Sequence, residues 1–380
     1  MYKFLLVLLC LCSCSPKEDS NHLYIYTWFD IIPNEIIQQF QDETGIKVTT
    51  DYYDTNQVME ASLMTKKSGY DIVTPSMWPY AERQIKNRMF QKLDKSKLPN
   101  FKNIDQVILN YVEPDDPGHI YATPYYWGVA GIAYNKRLIA EIMPDAPLDS
   151  WAMLFDPVVL EKFAPYGICL LDDPTEIFMA LETYLGLNRD DWSAENTDKA
   201  LKHLIKIKRY IKKFVSSQGK NDLAKGDAAI IHSYTSDVEG ARRMAEQSKT
   251  DVEIGFIIPK EGARIWVDCL AIPVDAHNVD NAHKFINFML RSDIAAKVTN
   301  ITHFANAVKS SEPYLDKGIK ENNLIYPDEK LRDKLYTTRP MPREFEKLLN
   351  RRLTQIMTDD KDNGNVKINK DSINSYDAKK

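Results

Sequence analysis

The sequence predicts an α/β protein of two lobes, and three observations lead to that prediction. Short apolar strands alternate with helices along most of the chain, a pattern typical of βαβ units and a largely parallel sheet. The 380 residues are enough for two domains of ordinary size, each with its own core. A late apolar strand, predicted at 267–272, has no obvious partner in the second α/β block. That strand would suit a return to the first block, so that crossing strands join two lobes.

The first block shows the alternation most clearly. A strand is predicted at 23–26, and the helix that follows has Pro33 in its first turn and Gly45 at its end, as helix boundaries favour. The segment 46–52 alternates as a half-buried strand should. Three further elements are predicted in this block: a helix near 56–66, a strand at 71–75 and a helix near 78–88.

The second block begins with a strand of small residues at 129–135. Helices are predicted near 174–185 and 197–214, and a further helix at 281–291 follows the late strand and Pro273. The final residues are rich in Asp, Asn, Lys and Ser and almost free of apolar side chains, which predicts a disordered tail.

The N-terminus is typical of an exported lipoprotein. A short basic start precedes an apolar run and small residues, as in a secretory signal peptide, and the run is too short for a membrane-spanning helix. Leu11-Cys12-Ser13-Cys14 resembles the lipobox of bacterial lipoproteins, with Cys14 as the lipidated residue; an ordinary signal with incidental cysteines is the alternative. We therefore expect a protein of the periplasm or cell envelope, tethered to a membrane by its lipid.

The predicted organisation has seven parts along the chain. They are a signal peptide, a lipid-anchored tether, the first part of lobe 1, the first part of lobe 2, a return to lobe 1, the C-terminal helices and the tail, at residues 1–13, 14–22, 23–127, 128–265, 266–308, 309–358 and 359–380.

Composition and motifs argue against several classes of function. The formal net charge of −5 does not suggest a nucleic-acid partner and suits a protein that handles cations. The sequence contains no Gly-rich phosphate loop, no HExxH or paired CxxC motif and no GxSxG elbow, so neither catalysis nor a metal or other cofactor is predicted. His232 and Ser233 would point to opposite faces of a strand. Cys169 and Cys269 are predicted as buried free thiols, with a disulfide as the alternative in an exported protein.

Acidic and aromatic residues lie at the ends of predicted strands, where α/β sheets bind their ligands. Carboxylates attract ammonium groups, and aromatic faces hold cations and flank methylene chains. A cleft with acids at its ends and rings along its walls would suit a linear diamine or polyamine. The candidates are five acids and three aromatic residues: Asp30, Asp173, Glu176, Asp237, Asp268, Trp28, Tyr234 and Trp266.

Most of these acids also have an ordinary structural interpretation. Asp173 stands before Pro174 as a good N-cap, with Glu176 at capping-box spacing. Ser236 or Asp237 could cap a helix that begins at Val238, and Asp30 could cap the turn before Pro33. Asp268 differs, because an apolar strand surrounds it and a carboxylate there is costly unless it is paired. We therefore interpret Asp268 as an acid that faces a cleft and awaits a cation.

A resemblance to one family runs over about residues 23–357 and is carried by several strings. They are Leu-Tyr-Ile-Tyr-Thr-Trp at 23–28, Glu-Thr-Gly-Ile-Lys-Val at 43–48, Asp-Ile-Val-Thr-Pro-Ser at 71–76, Leu-Asp-Lys-Ser-Lys-Leu-Pro-Asn at 93–100, Ile-Pro-Lys-Glu-Gly-Ala at 258–263, Trp-Val-Asp-Cys-Leu-Ala-Ile-Pro at 266–273 and Asn-Phe-Met-Leu-Arg-Ser-Asp at 287–293. The chain thereby resembles the substrate-binding proteins of bacterial polyamine ABC importers, the putrescine and spermidine receptors.

This resemblance implies a two-lobed periplasmic-binding-protein fold of type II, in which each lobe is a sheet flanked by helices and the ligand lies in the inter-lobe cleft. It also implies a monomer that passes a polyamine to an inner-membrane ABC permease and catalyses no reaction. A polyamine-sensing or surface-exposed lipoprotein that is not coupled to transport is the alternative.

The resemblance also assigns ligand positions, and it favours putrescine slightly over spermidine through Asp237 and the sequence at 257–268. Phe29 and Ile31 replace polar or Tyr residues of the family, which could alter the amine that is preferred. Phe304 stands where the family has a lining aromatic residue, usually Tyr, and Tyr234 stands where Trp is usual. Asp173 falls on an acidic position of the spermidine branch. The family's other ligand positions fall on Trp28, Asp30, Ser76, Glu176, Asp237, Trp266 and Asp268.

Overall fold

The computed structural model describes residues 21–29, 31–189, 191–216, 218–338 and 341–358. The predicted signal peptide, Cys14, Asp30 and the predicted tail lie outside the described residues. Within the described ranges, no helix has both the length and the apolar character needed to cross a membrane.

Strands and helices alternate along the described chain. The strands are β1 (His22–Trp28), β2 (Lys47–Tyr53), β3 (Ile72–Val73), β4 (Ala122–Asn135), β5 (Ile168–Leu171), β6 (Lys213–Val215), β7 (Ile230–Tyr234), β8 (Ile254–Ile257), β9 (Ala263–Ala271), β10 (Ala305–Asn306) and β11 (Leu335–Tyr336). The helices are α1 (Asn34–Thr44), α2 (Asn56–Met64), α3 (Glu82–Lys86), α4 (Gln106–Val112), α5 (Lys136–Ile142), α6 (Ala152–Phe155), α7 (Pro157–Phe163), α8 (Pro174–Tyr184), α9 (Ala194–Ile207), α10 (Gly219–Lys225), α11 (Thr235–Ser248), α12 (Val279–Met289), α13 (Ser292–Thr302), α14 (Lys317–Lys320), α15 (Glu329–Arg332) and α16 (Arg343–Thr358).

Two long strands, β4 and β9, lie at the centre of the sheet. The strand order is β2-β1-β3-β9-β4-β7-β5-β6. The outer pairs β1–β2, β1–β3, β5–β6 and β5–β7 are parallel, whereas β4 is antiparallel to β9, β7 and β8, and β9 is antiparallel to β3. The prediction of a largely parallel sheet is therefore wrong at the centre, because these two strands run against their neighbours.

The strand β4 connects the two halves of this α/β fold. Its first part, from Ala122 to Val129, pairs with β9, and its second part, from Ala130 to Tyr134, pairs with β7. At its far end β9 pairs with β3 through Ala271 and Val73. The late strand is therefore hydrogen-bonded to a strand of the first block. The residue limits given above for the lobes stay a prediction.

Two predicted helices have different limits in the structure. The helix predicted near 78–88 is regular only in α3, because Trp78 precedes Pro79 and has the extended φ and ψ of −114° and 135° that a following proline favours. The helix predicted near 197–214 ends in α9, and the residues of β6 pair instead with β5. The predicted end of the first helix is confirmed, since Gly45 caps α1 with a φ of 70°.

The two cysteines of the described chain are buried free thiols. That prediction is confirmed, and the alternative of a disulfide is wrong, because Cys169 lies in β5 and Cys269 in β9. His232 is buried in β7 and packs edge-on against Trp151, with 5.3 Å between ring centroids. Burial lowers the pKa of His232 to about 3, so this ring is neutral and forms part of the core.

Candidate functional site

The strand β9 brings three of the site's side chains to one face. Side chains two residues apart point to the same side of a strand, and Arg264, Trp266 and Asp268 follow this spacing. Polar groups of other elements surround the two ends of this row, and aromatic rings surround its middle.

At one end, the Asp268 carboxylate is held by a hydroxyl group. Ser76 Oγ donates to Asp268 Oδ1 at 2.6 Å, and Asn56 Nδ2 donates to Ser76 Oγ at 3.1 Å. The Asp268 residue is only 8% exposed. Burial raises the pKa of Asp268 to about 7, opposed by the hydrogen bond from Ser76 and by the charge of Arg264. A cation beside this carboxylate would therefore stabilise its ionised form strongly.

Trp28, the last residue of β1, lies in an aromatic pair near that carboxylate. Its ring centroid is 4.6 Å from that of Tyr53, whose hydroxyl donates to the Thr74 carbonyl at 2.6 Å. Thr74 lies two residues before Ser76, which holds the acid. Burial raises the pKa of Tyr53, and the charge of Asp268 adds to that rise. The Trp28 Nε1 group is buried without a hydrogen-bond partner in the described structure.

Phe29 and Ile31, the two residues that depart from the family's usual residues in this region, have different surroundings. Phe29 is 66% exposed and packs edge-on against Tyr52, with 5.3 Å between ring centroids. Ile31 is buried, and its carbonyl accepts a hydrogen bond from the Tyr126 hydroxyl at 2.7 Å. Phe29 is thus a surface residue, whereas the Ile31 backbone holds Tyr126, whose ring centroid is 5.6 Å from that of Phe304.

At the other end, Glu176 forms a buried ion pair with Arg264. Glu176 lies in the first turn of α8 and is 1% exposed. The Arg264 Nε group contacts Glu176 Oε1, and Arg264 Nη1 donates to Thr338 Oγ1 at 3.0 Å. Burial raises the pKa of Glu176 to about 7, and the Arg264 guanidinium opposes that rise. The sequence predicted a carboxylate available to a ligand, but the structure gives Glu176 a cation from its own chain.

Asp173 caps the helix that carries Glu176. Its Oδ1 accepts hydrogen bonds from the backbone N–H of Thr175 at 2.9 Å and of Glu176 at 3.1 Å. The structural interpretation of Asp173 is therefore confirmed. The residue remains partly exposed, and its charge contributes to the raised pKa of Tyr234, so the cap also lies beside the site.

Tyr234 and Asp237 approach the same end from β7 and α11. The helix α11 begins at Thr235 rather than at Val238, so the interpretation of Asp237 as a cap is wrong and the residue lies inside the first turn. Burial raises the pKa of Asp237 to about 6, opposed by Lys220. The pKa of Tyr234 is raised mainly by burial. The charge of Glu176 raises it further, and that of Asp237 does so more weakly.

Trp266 lies between the two ends and contacts rings on both sides. Its ring centroid is 6.2 Å from that of Tyr234 and 6.5 Å from that of Phe304, both edge-on. Gly128 allows the ring to lie against β4, because a Cβ atom there would be only 2.4 Å from a Trp266 ring carbon. The partly buried rings form a wall between the two acidic ends.

The structure thus brings together the predicted residues that it describes, in two groups along β9. Ser76 and Asp268 touch directly, and Trp28 lies near them through Tyr53. Asp173, Glu176, Tyr234 and Asp237 surround the opposite end, while Trp266 and Phe304 lie between. Asp30 belongs to the prediction but lies outside the described residues.

Sequence reasoning missed Arg264, Asn56, Tyr53, Thr338 and Gly128. A signal for Arg264 was present, because a charge in an apolar strand is costly unless paired, and that argument had already singled out Asp268. The other four gave no comparable signal, because their importance depends on contacts with distant segments.

Within the described part of the chain, no group of three or more His, Cys, Asp or Glu side chains is placed to hold a metal ion. A two-lobed α/β fold with acids and aromatic rings along a crossing strand is typical of proteins that bind a small solute. The chain belongs to the bacterial extracellular solute-binding protein family, whose model matches residues 35–326.

The chain is similar over most of its length to several known binding proteins. The chain is 39% identical over 339 residues to the putrescine-binding periplasmic protein SpuD of Pseudomonas aeruginosa, covering 89% of this chain and 92% of that protein. A solved putative spermidine/putrescine ABC transporter protein from Listeria monocytogenes is 29% identical with a TM-score of 0.77, covering 89% of this chain and 99% of that one. The TpPotD lipoprotein of Treponema pallidum is 26% identical with a TM-score of 0.75, covering 88% and 99%.

These similarities confirm two predictions. The fold is the two-lobed periplasmic-binding-protein fold of type II. By family the chain is a solute-binding protein and not an enzyme, and its relatives include a substrate-binding protein of an ABC transporter.

Proposed function

We propose that this chain is an extracytoplasmic receptor that binds a polyamine and delivers it to an ABC importer. The observation that supports this most is the row on β9, in which a buried carboxylate with a raised pKa and an aromatic wall share one face. A buried acid of this kind gains most from a ligand that brings its own positive charge. The similarity to a putrescine-binding protein over 89% of the chain supports the same ligand class.

The proposed site lies along the row, and the Asp268 end anchors the ligand. Asp268, oriented by Ser76, binds one ammonium group, and Trp28 completes that end. Asp30 is a further proposed ligand position, assigned by the resemblance of the sequence alone. Trp266 and Phe304 flank the methylene chain, for which partly buried rings are suited. The opposite end is formed by Asp173, Glu176, Tyr234 and Asp237.

Putrescine is the ligand that we favour, slightly over spermidine. The identity of 39% to SpuD, described as putrescine-binding, supports that order. A monomer that closes its lobes around the ligand would exclude water and strengthen each charge contact.

Calorimetric titration of residues 15–380, which contain every described residue, tests the proposal. The titrants are putrescine, spermidine and cadaverine, with butane-1,4-diol as a control of the same length as putrescine and no charge. We expect binding of at least one amine and none of the diol. If the diol binds as tightly as putrescine, or if no amine binds, the site does not recognise ammonium groups.

Delivery to a permease and attachment to a membrane are separate parts of the proposal. The lipobox-like Cys14 and the similarity to a lipoprotein of the same fold support a lipid anchor. We expect Cys14→Ala to move the protein from the membrane fraction to the soluble fraction. Deletion of the gene should abolish uptake of labelled amine; unchanged uptake would favour a sensing lipoprotein that is not coupled to transport.

A further inference from the structure

The Arg264–Glu176 ion pair is a feature of the site that a simple amine receptor does not require. An arginine inside an amine-binding cleft repels the ligand's charge, and it neutralises a carboxylate that would otherwise attract it. The pair is nevertheless almost fully buried, with Arg264 7% exposed and Glu176 1% exposed. The question is what this cation does there.

Several contacts hold the Arg264 guanidinium in place. Its Nε contacts Glu176, its Nη1 donates to Thr338 Oγ1, and β11 pairs with β9 at Arg264 itself through Tyr336. An arginine side chain remains protonated in proteins. The site therefore contains a fixed positive charge on the same strand face as Trp266 and Asp268.

Stability alone does not account for this pair. Two charges taken out of water lose hydration, and replacing a buried ion pair by well-packed apolar residues is often neutral or stabilising. The neighbours Ala263, Ile265 and Val267 in β9 are apolar and buried, so the strand already contributes to a core without a charge. A role in ligand binding would account for a cation on this face of the strand.

The position of Arg264 along β9 relates it to the length of a ligand. With a rise of about 3.3 Å per residue, the Cα atoms of Arg264 and Asp268 are separated by roughly 13 Å along the strand. With bonds of about 1.5 Å in a zigzag chain, putrescine spans about 6 Å between its nitrogens and spermidine about 11 Å between its terminal nitrogens. If the ligand lies along β9, an amine bound at Asp268 places the far nitrogen of a triamine near Arg264, whereas a diamine ends beside Trp266.

We infer that Arg264 is a specificity residue that limits the ligand to a diamine by closing the Glu176 end of the site to a third ammonium group. This inference rests on the proposed function, because it concerns which amine the site accepts. Its guanidinium neutralises Glu176 and repels an incoming ammonium group at the position a triamine would reach. The positive charge on Arg264 thus makes the site discriminate against triamines in favour of diamines.

The test is the affinity of the wild-type protein and of Arg264→Met for putrescine and for spermidine, measured by calorimetry. Methionine keeps an unbranched apolar side chain without the charge, and it leaves Glu176 free for an ammonium group. We expect the preference for putrescine over spermidine to fall by about tenfold or more in Arg264→Met, because a like-charge contact is removed. In Arg264→Met combined with Glu176→Gln, the gain in spermidine affinity should largely disappear.

The matched control is Arg291→Met, which makes the same change in charge. Arg291 forms its ion pairs with Glu43 and Asp293, outside the row on β9, so this variant should keep the wild-type preference. Thermal unfolding identifies any variant that is not folded, and Arg264→Gln then replaces Arg264→Met.

The possible results separate the two proposals. If neither the wild type nor Arg264→Met binds an amine, the proposed function fails. If amines bind but the wild type holds spermidine as tightly as putrescine, or the ratio does not change in Arg264→Met and Arg264→Gln, the inference about Arg264 is overturned and the receptor function stands.

Discussion

Replacement of Asp268 by Asn is the most direct test of how the site binds an ammonium group. Asn has nearly the same shape, and its Oδ1 can still accept the hydrogen bond that Ser76 Oγ donates to Asp268 at 2.6 Å. The substitution therefore removes the charge and leaves the packing almost unchanged. Any loss of affinity then reports the electrostatic attraction between carboxylate and ligand.

The expected magnitude follows from the burial of this carboxylate. Asp268 is 8% exposed, so little water screens its contact with a ligand cation. Truncation of one partner of a buried, hydrogen-bonded charge pair costs about 2–5 kcal/mol. At about 1.4 kcal/mol per factor of ten, Asp268→Asn should weaken putrescine binding by roughly thirtyfold or more. The ligand-free variant should be no less stable than the wild type, because burial disfavours the ionised carboxylate that Asn replaces.

Calorimetry of both proteins, with thermal unfolding of the ligand-free forms, measures the two effects. Asp280→Asn is the matched control, since Asp280 is an exposed residue of α12 that pairs with Lys97. The control should bind putrescine like the wild type. An unchanged affinity in Asp268→Asn would remove Asp268 from the ligand site and refute the reasoning.

Three further predictions concern the same site. The pKa of Asp268 rises from 3.8 to about 7 on folding, so the folded protein holds more protons than the unfolded chain in that interval, and the stability of the ligand-free form should fall as the pH rises through it. Binding of putrescine should then release protons at pH 6, seen as a buffer-dependent heat; heats that are equal in two buffers of different ionisation enthalpy would contradict this. Gly128→Ala should displace the Trp266 ring, because the new Cβ would lie 2.4 Å from a ring carbon. We expect a loss of about 1–3 kcal/mol in the free energy of unfolding and altered tryptophan fluorescence. An unchanged melting temperature would refute this prediction. Asp173→Ala should lower the free energy of unfolding by about 1 kcal/mol through loss of the cap, whereas Asp173→Asn should preserve it; an equal loss in both variants, measured in urea, would show that the charge rather than the cap stabilises α8.

Local patterns predicted much of the fold. The alternation of β1, α1 and β2 is visible in the sequence because each element has its own periodicity and Gly45 marks a helix end. The central antiparallel pairings of β4 were not predictable in this way. They join residues far apart in the chain, such as Ala130 and Tyr234, and no local signal specifies the direction in which two such strands meet.

The candidate site was predicted better in its composition than in its pairing. Asp268 was recognisable because a lone carboxylate in an apolar strand requires a partner, and its approach to Ser76 is consistent with that argument. The partner of Glu176 was not recognised, because its spacing from Asp173 suggested a local capping box. Only the tertiary structure shows that Arg264 of β9 reaches this carboxylate.

The continuity of β9 has a consequence for how such a site can change its ligand. Arg264, Trp266 and Asp268 occupy one strand, so the covalent geometry of the backbone fixes the intervals between them. Lobe closure can alter how tightly the walls enclose a ligand, but it cannot lengthen or shorten this row. A ligand that lies along β9 is therefore measured against a molecular ruler, and a change in the accepted length requires substitutions on the strand itself.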